Sequence, residues 1–335
     1  ELVAAGKLRH SDQWWLPTRK RTASGIASSD RCGSRREGAS PLLVGSRHHA
    51  RRQVVQACGA PAALHTRGVE RAELNGEPVP PECVGILRRM AYGHFTSMQV
   101  RDGNVRGLGL HIARLRAATA ELFGGDLAPE RILVHLRAAL DGAISASARI
   151  TVLPRAADWW TRAGARAETD IFVVIGAPRS SPPDPVAVQS VHHERTLPHI
   201  KHAGIALGLL QHGRQARQGG WDDVLYRDRA GRISEGSVWN IGFFDGHCVV
   251  WPNSPALPGI TRQLVENGLA RAGIPSQTRE VRLAEVASFH SAFLTNSEAI
   301  VRSIARIDDT AFAIDPGLIT ALTECYQANP WEPVR

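Results

Sequence analysis

No stretch of the 335 residues approaches the roughly 18 consecutive apolar residues of a membrane span, and none offers the apolar core of about 7–15 residues that marks a secretory signal. Cysteine is scarce. The five that occur (Cys32, Cys58, Cys83, Cys248 and Cys325) are odd in number and lack Cys-x-x-Cys spacing, which excludes a zinc knuckle and a disulfide framework. Such usage points to a reducing compartment, the cytoplasm by default. Methionine is limited to Met90 and Met98, and the sequence opens at Glu1. Lysine is the most telling shortage: of 40 basic residues, 37 are Arg and three are Lys, namely Lys7, Lys20 and Lys201.

What is present is ordinary for a globular protein: 43% hydrophobic and 21% charged residues, with 31 Gly and 20 Pro. The length suggests about two domains. A formal charge of +8 and a pI near 9.8 first suggest an acidic partner. That charge is local, however. Residues 1–70 hold 12 Lys and Arg against 5 Asp and Glu, whereas residues 71–335 hold 28 against 27. The basic stretch (KRTASGIASSDRCGSRREGAS, then SRHHARRQVVQ) shows no sustained apolar period, so residues 1–70 are expected to be a disordered or non-native extension. A nucleic-acid-binding tail, with Trp14-Trp15 to stack on bases, is the rival reading from a different class. No recognition motif accompanies it.

From Glu73 the patterning changes. SMQVRDGNVRGLGL reads as a hairpin turning at Asp102-Gly103. HIARLRAATAELFG spaces Ile112, Leu115, Ala118 and Leu122 as one apolar helix stripe, stopped by Gly124-Gly125, and PERILVHLRAALDG is a second helix. Residues 150–153 and 171–175 are β-branched strand runs, and SSPPDP at 180–185 has linker composition. Beyond it, a helix over 204–218 leads into DDVLYRD, RISEG, VWNIGFF and HCVVWP, expected to form an antiparallel meander. The helix ITRQLVENGLARAG and the strand ASFHSAFLTN follow. The expectation is an α+β chain with an extension over 1–70, a small domain over 71–180, a linker over 181–190 and a larger domain over 191–335.

A guanidinium stays protonated, whereas a primary amine can lose its proton, condense with a carbonyl and shuttle protons. Lys201 is the one lysine beyond residue 70. Composition alone leaves open that it is a chance survivor of a biased codon supply. Its place in RTLPHIKHAG, between two structured units where small-molecule sites tend to form, favours a function. Glu235 of ISEGSVWN stands at a strand end, Gly259 to Thr261 offer free N–H groups at a helix start, and Arg114 can grip a phosphate in bidentate fashion. Singly, each has a bland reading as a surface carboxylate, a capped helix or a solvated arginine.

Taken in order, IKHAG, WDDVLYRDRAGRISEGSVWNIGFFDGHCVVWPNSPALPGITRQLVENGLARAGI and FLTNSEAI, with GLHIARL upstream, resemble the class-IV aminotransferases. These are the fold-type-IV pyridoxal-phosphate enzymes, among them branched-chain and D-amino-acid aminotransferases and aminodeoxychorismate lyase. The resemblance implies a homodimer whose small α/β N-terminal domain and larger β-barrel-like C-terminal domain hold pyridoxal 5'-phosphate between them. It makes Lys201 the residue that forms a Schiff base with the cofactor and moves the proton, and Glu235 the partner of the pyridinium nitrogen. It assigns the phosphate to Arg114, Ile260, Thr261, Thr295 and Asn296, and sets Asn240, Leu257 and Gly259 beside the cofactor.

Two departures bear on the activity. The tyrosine that commonly follows the lysine by five residues is Ala206 here, and the usual Y-G-D-G-x-F-E reads MAYGHFTSM, which puts Phe95 at the phenylalanine and Thr96 at the glutamate. Tyr92, His94 and Thr96 are thereby candidate substrate contacts. With Lys201-His202, both changes resemble the lyase branch. The activity implied is transfer of an amino group between an amino acid or amine and a keto acid, and the alternative is 4-amino-4-deoxychorismate lyase, which releases pyruvate. No metal is expected: HHERTLPHIKH gathers His192, His193, Glu194, His199 and His202, but without HExxH spacing. Nucleotide-binding glycine loops and a G-x-S-x-G elbow are also missing.

Overall fold

The computed structural model describes residues 73, 74, 77, 78 and 80–334, apart from 157, 158, 162, 163, 165, 181 and 183. The readings made for residues 1–70 lie outside the described residues. Short strands β1 (Glu73–Leu74) and β2 (Glu77–Pro78) precede helix α1 (Pro81–Arg89). Strands β3 (His94–Val100) and β4 (Asn104–Arg106) turn at Asp102-Gly103, whose φ angles of 50° and 74° are the left-handed pair a two-residue hairpin requires. Helices α2 (Leu108–Phe123) and α3 (Pro129–Leu140) and strands β5 (Ala146–Pro154) and β6 (Thr169–Gly176) complete the first unit. Its antiparallel sheet runs β3-β5-β6. Strand alternation turns Met98, Val100, Ile150 and Val152 onto Leu115 and Leu136 of the helices, while Phe95 and Arg149 share the opposite face.

The second unit begins earlier than its linker-like composition suggests. Strand β7 (Val186–His192) starts within the stretch assigned to the linker, because VAVQSV alternates and is paired on both sides. Helix α4 (Ala206–Gln218) and strands β8 (Asp223–Arg227), β9 (Ile233–Gly236), β10 (Asn240–Phe244) and β11 (Val249–Pro252) follow. Then come α5 (Ile260–Ala272), β12 (Ser276–Arg279), β13 (Ser291–Thr295), β14 (Arg302–Ile307), β15 (Thr310–Ala311), α6 (Pro316–Gln327) and β16 (Trp331–Pro333).

The large sheet runs β12-β11-β10-β13-β14-β7-β8-β9, with β15 on β14. The expected meander is therefore broken. β8/β9 and β10/β11 are antiparallel pairs, but β13, β14 and β7 lie between them, and β7 is parallel to both β14 and β8. Alternation identifies strands; it does not identify partners that only a crossover can bring together. The sheet curls into a half-barrel until Gly236 N donates to Trp239 O at 2.8 Å. Val188, Leu225, Ile241, Phe243 and Ile304 fill the curl, whereas Trp251 and Phe293 face outward onto α5 and α6.

One boundary needs correction. Residues 331–334 do not pack with the larger sheet: β16 pairs with β4, and Val334, 1% exposed, enters the small domain's core. Arg106 lies 4.2 Å over the Trp331 ring, Glu332 Oε2 accepts from Gly109 N at the start of α2 (2.9 Å), and Arg137 donates to Val334 O (2.5 Å). Among the described residues, no helix is long and apolar enough to cross a membrane.

Candidate active site

Lys201 lies against the start of β3. Phe95 N donates to Lys201 O and Ala203 N to Gly93 O, each at 2.8 Å, so the lysine segment is clipped to β3. Its Nζ lies 5.1 Å from the centre of the Phe95 ring. Burial, then the charges of Arg114 and Arg195, lower the amine to about 7, with Glu235 opposing and Arg149 adding to the fall. An amine that sheds its proton near neutrality is both nucleophile and base. The neighbouring histidines are engaged elsewhere: His199 with Glu121 (2.9 Å), His202 donating to Thr196 O (2.9 Å). Among the described residues, no three His, Cys, Asp or Glu side chains gather as a metal site.

Glu235, at the end of β9, is 3% exposed. Its Oε1 accepts from Arg195 Nη1 at 2.5 Å and its Oε2 from Leu257 N at 3.1 Å. Burial pushes its pKa up, and the Arg195 charge is the largest counterweight. Arg195 also donates to Ile200 O (3.1 Å), which ties the carboxylate to the residue before Lys201. Asn240 brackets the same wall from behind, donating to Leu257 O at 2.8 Å. A Cβ on Gly259 would stand 1.9 Å from Asn240 Oδ1, so only glycine lets the loop lie this close. Asn240, Leu257 and Gly259 thus form a scaffold around the carboxylate.

The third part of the site suits an anion. Arg114 on α2 donates to Thr96 Oγ1, while its Nε is buried without a hydrogen-bond partner; burial lowers its pKa to about 10. Thr295 Oγ1 is likewise buried and unpartnered at the end of β13, beside Asn240 in register. Helix α5 starts at Ile260 and Thr261 with no side-chain cap on its first amides. Asn296, the remaining candidate from the sequence, is spent on its own turn. Its Oδ1 accepts from Glu298 N (2.8 Å) and Ala299 N (2.6 Å).

The first motif is placed differently from expectation. His94, 1% exposed, is turned toward α2, 3.0 Å from Thr119 Oγ1 and with its ring tilted against Phe123 at 5.5 Å. Thr96, fully buried, likewise points at α2 because even-numbered positions of β3 face the helices. Tyr92 is half-exposed on the turn before β3. Neither Arg195 nor Arg149 could be picked out from the sequence. The guanidinium of Arg149 lies 3.6 Å from the Phe95 ring centre and makes no ion pair with another described residue. No spacing distinguishes these two among 37 arginines.

Comparison with known proteins bears on this arrangement. Residues 93–307 match the family described as amino-transferase class IV. A probable branched-chain-amino-acid aminotransferase of Rickettsia bellii is 30% identical over 96 residues, which is 28% of this chain and 33% of that protein, so the match spans a third of the relative's length. The fold is shared with a protein from Legionella pneumophila assigned as 4-amino-4-deoxychorismate lyase (TM-score 0.64, 20% identity, 72% of this chain and 92% of that one). It is shared equally with the branched-chain amino acid aminotransferase of Escherichia coli (TM-score 0.64, 18% identity, 78% and 97%). An aminotransferase from Brucella abortus bound to PLP gives a TM-score of 0.63 at 20% identity, over 71% and 89%. At these identities the structural likeness is one of fold.

Proposed function

The chain belongs to the class IV aminotransferase family, and from that premise and the surroundings of Lys201 we propose that it is a pyridoxal 5'-phosphate enzyme moving an amino group between an amino acid or amine and a keto acid. The observation that carries the reading is the Lys201 amine, held near neutrality with Arg114, Arg195, Arg149 and Glu235 around it. The residues fit the cofactor at both ends. Arg114 Nε and Thr295 Oγ1, two buried polar atoms without partners, would hold the phosphate together with the uncapped amides of Ile260 and Thr261. Glu235 would accept the ring N–H.

When bound, pyridoxal phosphate supplies an aldehyde that condenses with amines and a ring that withdraws electron density from the α-carbon of an amino acid. Lys201 Nζ, which gives up its proton around pH 7, would take a proton from the substrate carbon and return one. Arg195 favours the ionised form of Glu235 against its burial. Arg149, stacked over Phe95 and free of a carboxylate partner among the described residues, would receive a substrate carboxylate. Exposed Leu87, Leu207 and Leu210 would supply apolar surface for a second copy in a homodimer.

A second reading, 4-amino-4-deoxychorismate lyase, is favoured by Ala206, which opens α4 without the phenol common at that position. There the same proton movement at Lys201 would end in loss of pyruvate. Two measurements test these readings. The purified protein is expected to show a visible cofactor band that Lys201→Ala abolishes, and an unchanged spectrum would overturn the assignment. Holoprotein mixed with amino donors and no acceptor is expected to pass to the pyridoxamine form; pyruvate from aminodeoxychorismate without that form would favour the lyase.

A further inference from the structure

Thr96 is fully buried, and its Oγ1 stands between two side chains of α2, accepting from Arg114 Nη2 and lying 2.6 Å from His111 Nδ1. Arg114 fixes one side of this oxygen. A guanidinium only donates, so Arg114 takes a hydroxyl lone pair. The second contact, with His111 Nδ1, is made in either ring tautomer: the hydroxyl donates to a bare Nδ1, or accepts from Nδ1–H on its other lone pair. Burial, followed by the charges of Arg114 and Lys201, holds His111 well below its ordinary pKa, so the ring stays neutral. In either case the hydroxyl is neutral, and Arg114 is the one charged member of the trio. Among the described residues no carboxylate meets Arg114, whose Nε is buried and unpaired. A carboxylate at position 96 could hold Arg114 as firmly, but it would cancel the charge.

We propose that Thr96 is a positioning residue: through the hydrogen bond its hydroxyl accepts from Arg114 Nη2, with His111 Nδ1 against the same oxygen, it fixes Arg114 and reserves the whole guanidinium charge for a doubly ionised phosphate. The inference rests on the cofactor reading above and goes further, since it makes the site discriminate for the phosphorylated form. The test titrates apoprotein with pyridoxal phosphate, with pyridoxal, which lacks the phosphate, and separately with inorganic phosphate.

Thr96→Ser is expected to stay within about twofold of wild type, whereas Thr96→Val binds pyridoxal phosphate roughly tenfold more weakly, the scale of one hydrogen bond to a charged group. Pyridoxal binding is expected to be unchanged in both. Thr96→Asp is expected to weaken pyridoxal phosphate and inorganic phosphate at least as much as the Val variant does, again sparing pyridoxal. Val and Asp variants that keep the wild-type preference for the phosphorylated form would overturn the proposal, as would a Ser variant as impaired as Val. Should circular dichroism show the Val variant unfolded, Thr96→Ala set against Thr96→Ser isolates the same hydroxyl. A wild-type protein without a Lys201-dependent band would sink the cofactor reading instead, and the inorganic phosphate titration, which needs no Lys201, would still decide the role of Thr96.

Discussion

Lys201 loses its proton near neutrality because burial and the Arg114 and Arg195 charges disfavour its ammonium form. Apoprotein is therefore expected to capture added pyridoxal phosphate at a rate that climbs with pH to a half-point near 7, measurable by stopped-flow absorbance. Arg149→Ala removes one positive neighbour and should move that half-point upward. A half-point near that of a free amine would contradict the environment described. Lys201 was legible in the sequence because amines are scarce in it. Arg149 and Arg195 were not, for the opposite reason: in a chain with 37 arginines, only burial against Glu235, 40 residues away, or stacking on Phe95 singles one out. Asn240 and Asn296 were legible as motif positions, yet both proved to brace backbone.

Among the elements, α2 and α5 were visible from their apolar stripes and glycine ends, and the β3–β4 turn from Asp102-Gly103. Sheet order was not, since β7, β13 and β14 reach their neighbours through distant crossovers. Nor was the close crossing of α5 and α6. A Cβ on Gly268 would stand 2.1 Å from Cys325 O, so Gly268→Ala is expected to cost about 1–3 kcal/mol in chemical denaturation, the range for overpacking.

The small-domain sheet carries its own pH dependence. His94, whose ordinary pKa is 6.5, is lowered to about 3 by burial and by the Arg114 charge. The unfolded chain therefore binds the extra proton first. Stability is full above 6.5 and is lost as pH falls toward 3, by up to about 1.4 kcal/mol per pH unit. His94→Gln is expected to flatten that slope in melting curves taken across the window.

At the scale of the molecule, strand β7 begins inside the stretch 181–190 expected to be a linker. Linker composition ends at Pro185, and the final strand crosses back to the small domain. Such a return could not be read from WEPV, which is too short to show a period. Val334→Ala is expected to cost about 2 kcal/mol by emptying a core position, and to weaken cofactor binding too, because Glu332 in the same strand holds the start of the helix that bears Arg114. A lowered melting temperature with wild-type cofactor affinity would separate the two effects.

The strap also orders events during synthesis. The β4 edge leaves the ribosome long before its partner β16 does, by roughly 10–50 s at about 5–20 residues per second. Until then the small domain has an open strand edge and lacks Val334 from its core. The small domain, though translated before the half-barrel, is thus completed after it.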